Sequence, residues 1–279
     1  MSLRRFAQKS RVLLEDELFT APRRAFAPTM AVPDEEGAQR QVHELRERGY
    51  TSLGRFVDAE ELGAVAEAID RAVQDGSAKW SESVRYWSIT HSLRLAPCIA
   101  QWAARPRVMG LIERYFRRAP YLADVDMRRV LPVDYDELGP GHVSSSTWHK
   151  DTRGRQVKLM IYLSDVGEHD SNFAFVPGSH LDRHSRVSGS EESRFRDSAV
   201  SGAEVKEWFG RAGDAMLFDT NLIHRLRRKP GAAVRDSVTF YYTPGQALYA
   251  LGHDPEVLER LAPAQRAIFG PPRWPLVRR

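Results

Sequence analysis

The stretch GDAMLFDTNLIHRLRRKPGAAVRDSVTFYYT, residues 213–243, decides how this chain folds. Gly213-Asp214 reads as a turn, and the apolar run behind it, to Asp219, as a buried strand. Leu222 to Arg227 is a second short strand. Lys229-Pro230-Gly231 is a turn, and Ala233 to Thr243 is a third strand, rich in β-branched and aromatic residues. The turn folds the third strand back alongside the second, which is antiparallel pairing.

Working outward, the same texture covers Tyr121 to Val133, Gln156 to Val166 and Asn172 to Val176, broken by the turn signals Gly139-Pro140-Gly141 and Pro177-Gly178-Ser179. Upstream the pattern is helical. Gln39 to Arg48 and Asp58 to Val73 read as helices, the second opened by Asp58 with Glu61 completing a capping box. Arg105 to Phe116 is a third, with Pro106 in its first turn, and Tyr50 to Phe56 is a short strand broken at Gly54. Helices first and strands afterwards indicate an α+β fold whose second part is an antiparallel sandwich or barrel. The expected organisation is an arm over residues 1–36 and one domain over 37–279. That domain comprises a helical part (37–119), a strand-rich core (120–245) and a C-terminal helix and tail (246–279). Ser188 to Gly202 is polar and lacks a strand pattern, and so reads as a mobile lid.

Composition narrows the class. Of 279 residues, 42% are hydrophobic and 28% charged, the balance of a soluble globular protein. The longest apolar candidate, Val157 to Leu163, is interrupted by Lys158 and too short to span a membrane. The N-terminus has basic residues with no apolar stretch behind them, unlike a secretory signal. The single cysteine, Cys98, excludes an internal disulfide and fits a reducing compartment, so the cytoplasm is the expected location. The net charge of +4 and the arginine clusters admit an anionic partner. A solvated surface is the simpler account, because acidic residues are interspersed throughout.

One of the nine histidines lies in Trp148-His149-Lys150-Asp151. Residues two apart on an extended segment share a side, so His149 and Asp151 can present an imidazole and a carboxylate together. A second histidine would complete a two-histidine, one-carboxylate facial triad, which leaves positions open on an octahedral iron(II). His180-Leu181-Asp182 has the same spacing, so topology must choose. In a jelly roll the ligands come from strands far apart, and several strands fit between His149 and His224. Between His180 and His224 lies mainly the polar loop, and His180 follows a Pro-Gly-Ser turn where a histidine satisfies local backbone groups. On the strand after His224, Arg235 and Ser237 share a face. A planar fork donor beside a hydroxyl suits a carboxylate.

In order and spacing these elements resemble the phytanoyl-CoA dioxygenase family. They are Trp148-His-Lys-Asp151, Val157 to Val166, Phe175-Val-Pro-Gly-Ser-His180, Gly213-Asp214, His224 and Arg235-x-Ser237. The segment Leu45 to Val73, with its Glu-Arg-Gly-Tyr50 entry, is similar to that family's N-terminal region. The resemblance implies a double-stranded β-helix (a cupin-like jelly roll) with the N-terminal helices packed on one sheet. It further implies iron(II) held by His149, Asp151 and His224, with 2-oxoglutarate anchored by Arg235 and Ser237 and dioxygen as the oxidant. Lys158 and Tyr162 lie on one face of the next strand and are candidates to reach the co-substrate, although Lys158 at this stage fits solvent equally. Trp148 is a candidate pocket wall, with core packing as its alternative.

The implied activity is oxidation of a C–H bond in a small molecule by hydroxylation, desaturation or cyclisation. A bacterial secondary-metabolite pathway is the preferred setting. Aspartate at 151, where related halogenases carry a small residue, argues against halogenation. Acyl-CoA or amino-acid hydroxylation by the same chemistry is the alternative, as is a non-redox metal-binding jelly roll. A nucleic-acid dealkylase is disfavoured, because the second arginine expected six positions after Arg235 is Tyr241.

Overall fold

The computed structural model describes residues 34–82, 85–89, 92–132, 146–151, 156–181, 194–195, 197–244 and 255–269. In chain order the elements begin with α1 (Glu35–Arg48), β1 (Tyr50–Arg55), α2 (Ala59–Gln74), β2 (Lys79–Ser81) and β3 (Tyr86–Ile89). Then come α3 (Ser92–Leu95), α4 (Cys98–Ala103), α5 (Pro106–Phe116) and β4 (Tyr121–Val130). The strand-rich part continues with β5 (Trp148–His149), β6 (Val157–Tyr162), β7 (Asn172–Val176), β8 (Arg194–Phe195), α6 (Asp197–Val200) and β9 (Lys206–Trp208). It ends with β10 (Asp214–Asp219), β11 (Ile223–Arg227), β12 (Arg235–Thr243), α7 (Pro255–Glu259) and α8 (Pro263–Arg266).

Among the described residues all pairings are antiparallel, but the strand pair expected at Lys229-Pro230-Gly231 does not form. β11 pairs with β5 and β7, and β12 with β4 and β6, because this turn carries the chain from one sheet to the other. One sheet has seven strands in the order β1-β10-β6-β12-β4-β3-β2, and a second has five in the order β8-β5-β11-β7-β9. Phe173 and Phe175 of the second sheet meet Met160, Met216 and Phe218 of the first in one apolar cluster, so the two sheets face each other.

The seven-stranded sheet divides its residues by parity. Leu159 and Ile161 of β6, Leu217 of β10, and Val238, Phe240 and Tyr242 of β12 join the main core with helices α1, α2, α4 and α5. Their neighbours, among them Lys158, Met160, Ser237 and Tyr241, line the space between the sheets. A strand buried on both faces explains why β6 reads as an almost continuous apolar run. Side-chain bonds fasten the helices to the sheet. Tyr242 donates to the Ala103 carbonyl (2.8 Å) and Tyr115 to Asp219 Oδ2 (2.6 Å).

Helix α1 starts at Glu35, four residues before the expected Gln39, because Asp34 caps it by accepting from the Gly37 N–H at 2.9 Å. The expected capping box of α2 forms only in half. Asp58 accepts from the Glu61 N–H at 2.9 Å, but the Glu61 carboxylate turns away to Trp102 (2.8 Å) and Arg105 (2.8 Å). It thus links α2 to the α4–α5 corner.

The segment Ser188 to Gly202 differs from its expected lid character where it is described. Arg194–Phe195 forms a strand on the edge of the five-stranded sheet, pairing with β5, and Asp197–Val200 is a short helix. Val200 and Phe195 pack against Trp148, which is what fixes this stretch to the sheet. Residues 188–193 and 196 lie outside the described residues, as do the expected arm up to residue 33 and the Gly139-Pro140-Gly141 turn.

The turn into β10 depends on Gly213. It adopts φ 93°, donates to the Tyr162 carbonyl at 2.7 Å, and accepts from Phe56 and Val57 at 2.8 and 3.1 Å. A Cβ here would lie 2.4 Å from the Val57 carbonyl oxygen, which is backbone and cannot step aside. Gly213→Ala should therefore destabilise the protein by about 1–3 kcal/mol, the usual range for a forced backbone conformation. Urea unfolding should show a lower midpoint with an unchanged slope, and an unshifted midpoint would contradict this account of the turn.

Candidate metal centre

Three strand ends meet between the sheets. β5 pairs with β11 so that His149 and His224 are direct partners across the ladder. Directly opposed residues point to the same face with their Cβ atoms close, and the two imidazoles sit with centroids 4.3 Å apart. Asp151 follows His149 by two residues. Its N–H donates to the Thr220 carbonyl at 2.9 Å, and the Thr220 N–H donates to the Gln156 carbonyl at 3.0 Å. Asp219 tightens this β10–β11 turn by accepting from the backbone and side-chain N–H groups of Asn221 at 2.7 and 2.9 Å.

Each histidine directs one nitrogen away from the site. Nδ1 of His149 bonds the Thr147 carbonyl at 2.7 Å, and Nδ1 of His224 bonds the Leu222 carbonyl at 2.8 Å. A carbonyl only accepts, so both Nδ1 atoms carry a proton, which leaves each Nε2 as the nitrogen turned to the site. Those nitrogens lie 3.9 and 3.6 Å from the two Asp151 oxygens, and one donor atom from each residue falls within 4.8 Å of the others. Two imidazoles and one carboxylate on one side, with space opposite, fit a divalent first-row metal bound facially.

The charges are consistent with that fit. Burial drives the His224 imidazole down to about 3, and the neighbouring His149 acts the same way, so it is neutral and able to ligate. Burial alone would raise the Asp151 carboxyl. The Lys158 ammonium, with the imidazoles behind it, outweighs burial and holds the group below the usual carboxylate range. Lys158 Nζ donates to Asp151 Oδ2 at 2.6 Å.

The centre opens into a cavity of about 370 Å³. Arg235 and Ser237 of β12 both line it, on the shared face expected for them. Arg235 is buried, and its Nε and Nη1 have no hydrogen-bond partner among the described residues. Such a group is costly unless something accepts its protons. Along β4 the alternate residues Asp124, Asp126 and Arg128 form a polar wall, while Met160, Phe173 and Phe218 form an apolar one. Asp126 pairs with Arg128 and accepts from the Tyr241 hydroxyl at 3.2 Å. Sequence reasoning missed this wall, although the period-two run of charges within a strand was its signal.

Two expected site residues stand elsewhere. The Tyr162 hydroxyl donates to the Trp208 carbonyl at 2.9 Å and accepts from the Phe173 N–H at 3.3 Å, and its ring stacks on Trp208. It is absent from the cavity lining and lies 5.8 Å beneath the Arg235 guanidinium. Trp148 points to the opposite face from His149, as alternation along a strand requires. There it is buried with Ala174 and Val176 under the Arg225 guanidinium, at 4.3 Å. His180 belongs neither to the triad nor to the cavity lining. Its Nε2 meets the Arg46 carbonyl at 2.9 Å and its ring packs against Gly49, whose Cβ position would fall 2.6 Å from Nδ1. Asp182 lies outside the described residues.

Comparison with known proteins agrees with this architecture. The sequence pattern of the phytanoyl-CoA dioxygenase family matches residues 45–235, and the chain belongs to that family. It is 23% identical over 202 residues to ectoine dioxygenase of Nocardia farcinica (strain IFM 10152), covering 63% of this chain and 67% of that one. Among solved structures it is similar in fold to the non-heme α-ketoglutarate-dependent carbocyclase SnoK from nogalamycin biosynthesis. The TM-score is 0.61 at 18% identity, over 85% of this chain and 94% of that one. It is also similar to HygX from Streptomyces hygroscopicus with nickel, 2-oxoglutarate and hygromycin B bound. There the TM-score is 0.54 at 19% identity, over 75% and 88% of the two chains.

The buried, neutral His224 makes the metal-free protein sensitive to acid. Its pKa is near 3 in the fold against an ordinary 6.5, so the unfolded chain binds the proton first as pH drops. Stability should be full above about pH 6.5 and fall as pH is lowered from there. Asp151, also depressed, adds a further loss at still lower pH. Urea unfolding of metal-free protein at about pH 7 and about pH 5 measures the slope. His224→Gln, which does not titrate, should flatten it, and a wild-type profile already flat over that interval would refute the buried neutral imidazole.

Proposed function

We propose that this member of the phytanoyl-CoA dioxygenase family is an iron(II)- and 2-oxoglutarate-dependent oxygenase that oxidises a C–H bond of a small polar molecule. His149, Asp151 and His224 hold the metal, and Arg235, helped by Ser237, takes the distal carboxylate of 2-oxoglutarate. Iron(II) with 2-oxoglutarate supplies dioxygen activation and C–H oxidation when bound. The observation that carries the reading is the buried Arg235 guanidinium, short of acceptors, in the same cavity as the triad. A metal-binding jelly roll without redox chemistry has no use for it.

The finer fold reading follows from the strand order. β5, β6 and β7 alternate between the two sheets, and so do β10, β11 and β12, whereas β8 and β9 stay with β7 in the five-stranded sheet. This alternation supports a double-stranded β-helix.

The chain's own residues do four things. The Nδ1 bonds of both histidines leave each Nε2 turned to the site. The Arg235 fork and the Ser237 hydroxyl orient a carboxylate and exclude a misplaced one. Phe173, Phe218 and Met160 keep water from the reacting side. On the other side Asp124, Asp126 and Arg128 offer acceptors and donors to a substrate bearing hydroxyl or amino groups. An acyl chain laid there would desolvate those charges and return no hydrogen bonds. That contrast favours a polar small molecule over an acyl-CoA thioester. SnoK belongs to nogalamycin biosynthesis and HygX was solved with hygromycin B, which supports a secondary-metabolite setting.

Truncating Arg235 would leave a buried carboxylate unpaired, at a cost of about 2–5 kcal/mol. Arg235→Leu should accordingly raise the KM for 2-oxoglutarate by roughly thirty-fold or more, with metal binding nearly unchanged. Arg235→Lys should fall between, keeping the charge and losing the fork, and Ser237→Ala should cost about 1 kcal/mol. Succinate release against 2-oxoglutarate concentration measures all three. An Arg235→Leu protein that titrates like wild type would remove the co-substrate half of the proposal.

His149→Ala or His224→Ala should abolish turnover and sharply weaken metal binding in a protein that still folds, while His180→Ala should retain metal. Loss of metal at position 180 alone would mean that the centre lies elsewhere.

A further inference from the structure

We infer that Lys158 is a positioning residue for the metal centre, holding one oxygen of Asp151 so that the other is presented to the metal. The inference rests on His149, Asp151 and His224 being the ligands.

An ammonium beside a cation site is electrostatically unfavourable for the metal. Its presence therefore calls for a compensating role. Lys158 sits on the cavity face of β6, where its same-face neighbours are Met160 and Tyr162, and its side chain is 10% exposed. The Tyr241 ring lies 4.3 Å from Nζ and the Phe218 ring 5.9 Å away. This aromatic box directs the ammonium to Asp151 Oδ2 at 2.6 Å, the ion pair Lys158 makes among the described residues.

Among the described residues Asp151 is otherwise hydrogen-bonded through its backbone alone, by the N–H bond to Thr220. Nothing in that bond decides how the carboxylate is rotated. Oδ2, which lies 3.6 Å from His224 Nε2, is engaged by Lys158, and Oδ1, 3.9 Å from His149 Nε2, is left clear of the ammonium. A carboxylate held this way would offer a metal one oxygen rather than two, which is what a two-histidine, one-carboxylate site needs to leave room for other ligands.

The register also separates Lys158 from the co-substrate end. On β12 the partner of Lys158 is Tyr241, whereas Ser237 is opposite Tyr162. Lys158 therefore belongs to the Asp151 end of the cavity and Arg235 to the other.

The test is cobalt(II) titration of metal-free protein, followed by absorption, for wild type, Lys158→Met, Lys158→Gln and Lys158→Arg. Thermal unfolding of each variant is recorded alongside. Outer-sphere partners of metal ligands typically contribute about 10–100-fold to affinity, so Lys158→Met should bind cobalt(II) weaker by that factor. Lys158→Arg should recover most of the loss, and Lys158→Gln should lie between, which covers the case of a Met variant that fails to fold. Equal or tighter binding by the neutral variants would show repulsion to be the dominant effect and overturn the inference. So would unchanged cobalt(II) affinity with weakened 2-oxoglutarate binding to the cobalt-loaded protein, which would make Lys158 a co-substrate ligand. If wild type itself takes up no cobalt(II), the triad assignment fails as well, and that failure is seen before any variant is compared.

Discussion

The site hangs on one register, the pairing of His149 with His224 across two neighbouring antiparallel strands. Side chains on a strand alternate with a period of two, so a slip of one residue would turn one imidazole out of the cavity. β5 is only two residues long and cannot hold that register by itself. The turn between β10 and β11 does it instead. Thr220 takes the Asp151 N–H and gives its own to Gln156, while Asp219 fixes the turn that launches His224. All three donor residues are thus referenced to one four-residue bend. The bend is in turn fixed to the helical layer through Tyr115 and to the end of α1 through the Gly49 carbonyl.

That connection explains why the helices matter to a site they do not touch. The seven-stranded sheet presents Leu159, Ile161, Leu217, Val238 and Phe240 to the helices and its alternate residues to the cavity. Burial of the first set supplies the stability, at roughly 25 cal/mol per Å² of apolar surface. The second set is released from packing duty and can be charged. Glu61 shows the same economy. Sequence patterning assigns its carboxylate to a helix cap, but in the fold it joins Trp102 and Arg105 and so braces two helices together.

Much of this was legible in the sequence, for identifiable reasons. β7 and β10 have the bounds their composition suggests, because each carries a four-residue apolar run bounded by polar or turn residues. The spacing of Trp148 to Asp151, His224 and Arg235-x-Ser237 named five residues that line one cavity, since period two is obeyed wherever a strand is paired. What was not legible is tertiary. β2, β3, β8 and β9 are too short to show alternation, and they exist because a neighbour offers an edge. Tyr162 shares a strand face with Lys158, which made it a candidate for the co-substrate. Its hydroxyl is instead taken by the Trp208 carbonyl, on a strand whose position no local pattern reveals. Trp148 beside His149 is subject to the alternation that makes the histidine useful, and that same alternation sends it to the far face.

The cavity is also where the fold is least at ease with itself. Among the described residues Arg235 keeps two nitrogens without acceptors, Arg128 keeps its Nε, and Lys158 is enclosed beside aromatic rings. In a core selected for stability alone such groups would be replaced by apolar ones. Burial weakens the hold of Arg235 on its own proton, with Arg128 adding to the effect, so the guanidinium gains by acquiring an anion. The triad behaves in the complementary way, with the neutral His224, its neighbour His149 and a carboxylate gathered where a cation would relieve them. An anion at one end and a cation at the other, joined in a single chelating molecule, would satisfy both ends at once. Any ligand that binds only the folded state stabilises it by mass action. In this architecture the stabilisation by metal and keto acid together should exceed the sum of each alone, because each removes a charge that the other would otherwise face unscreened.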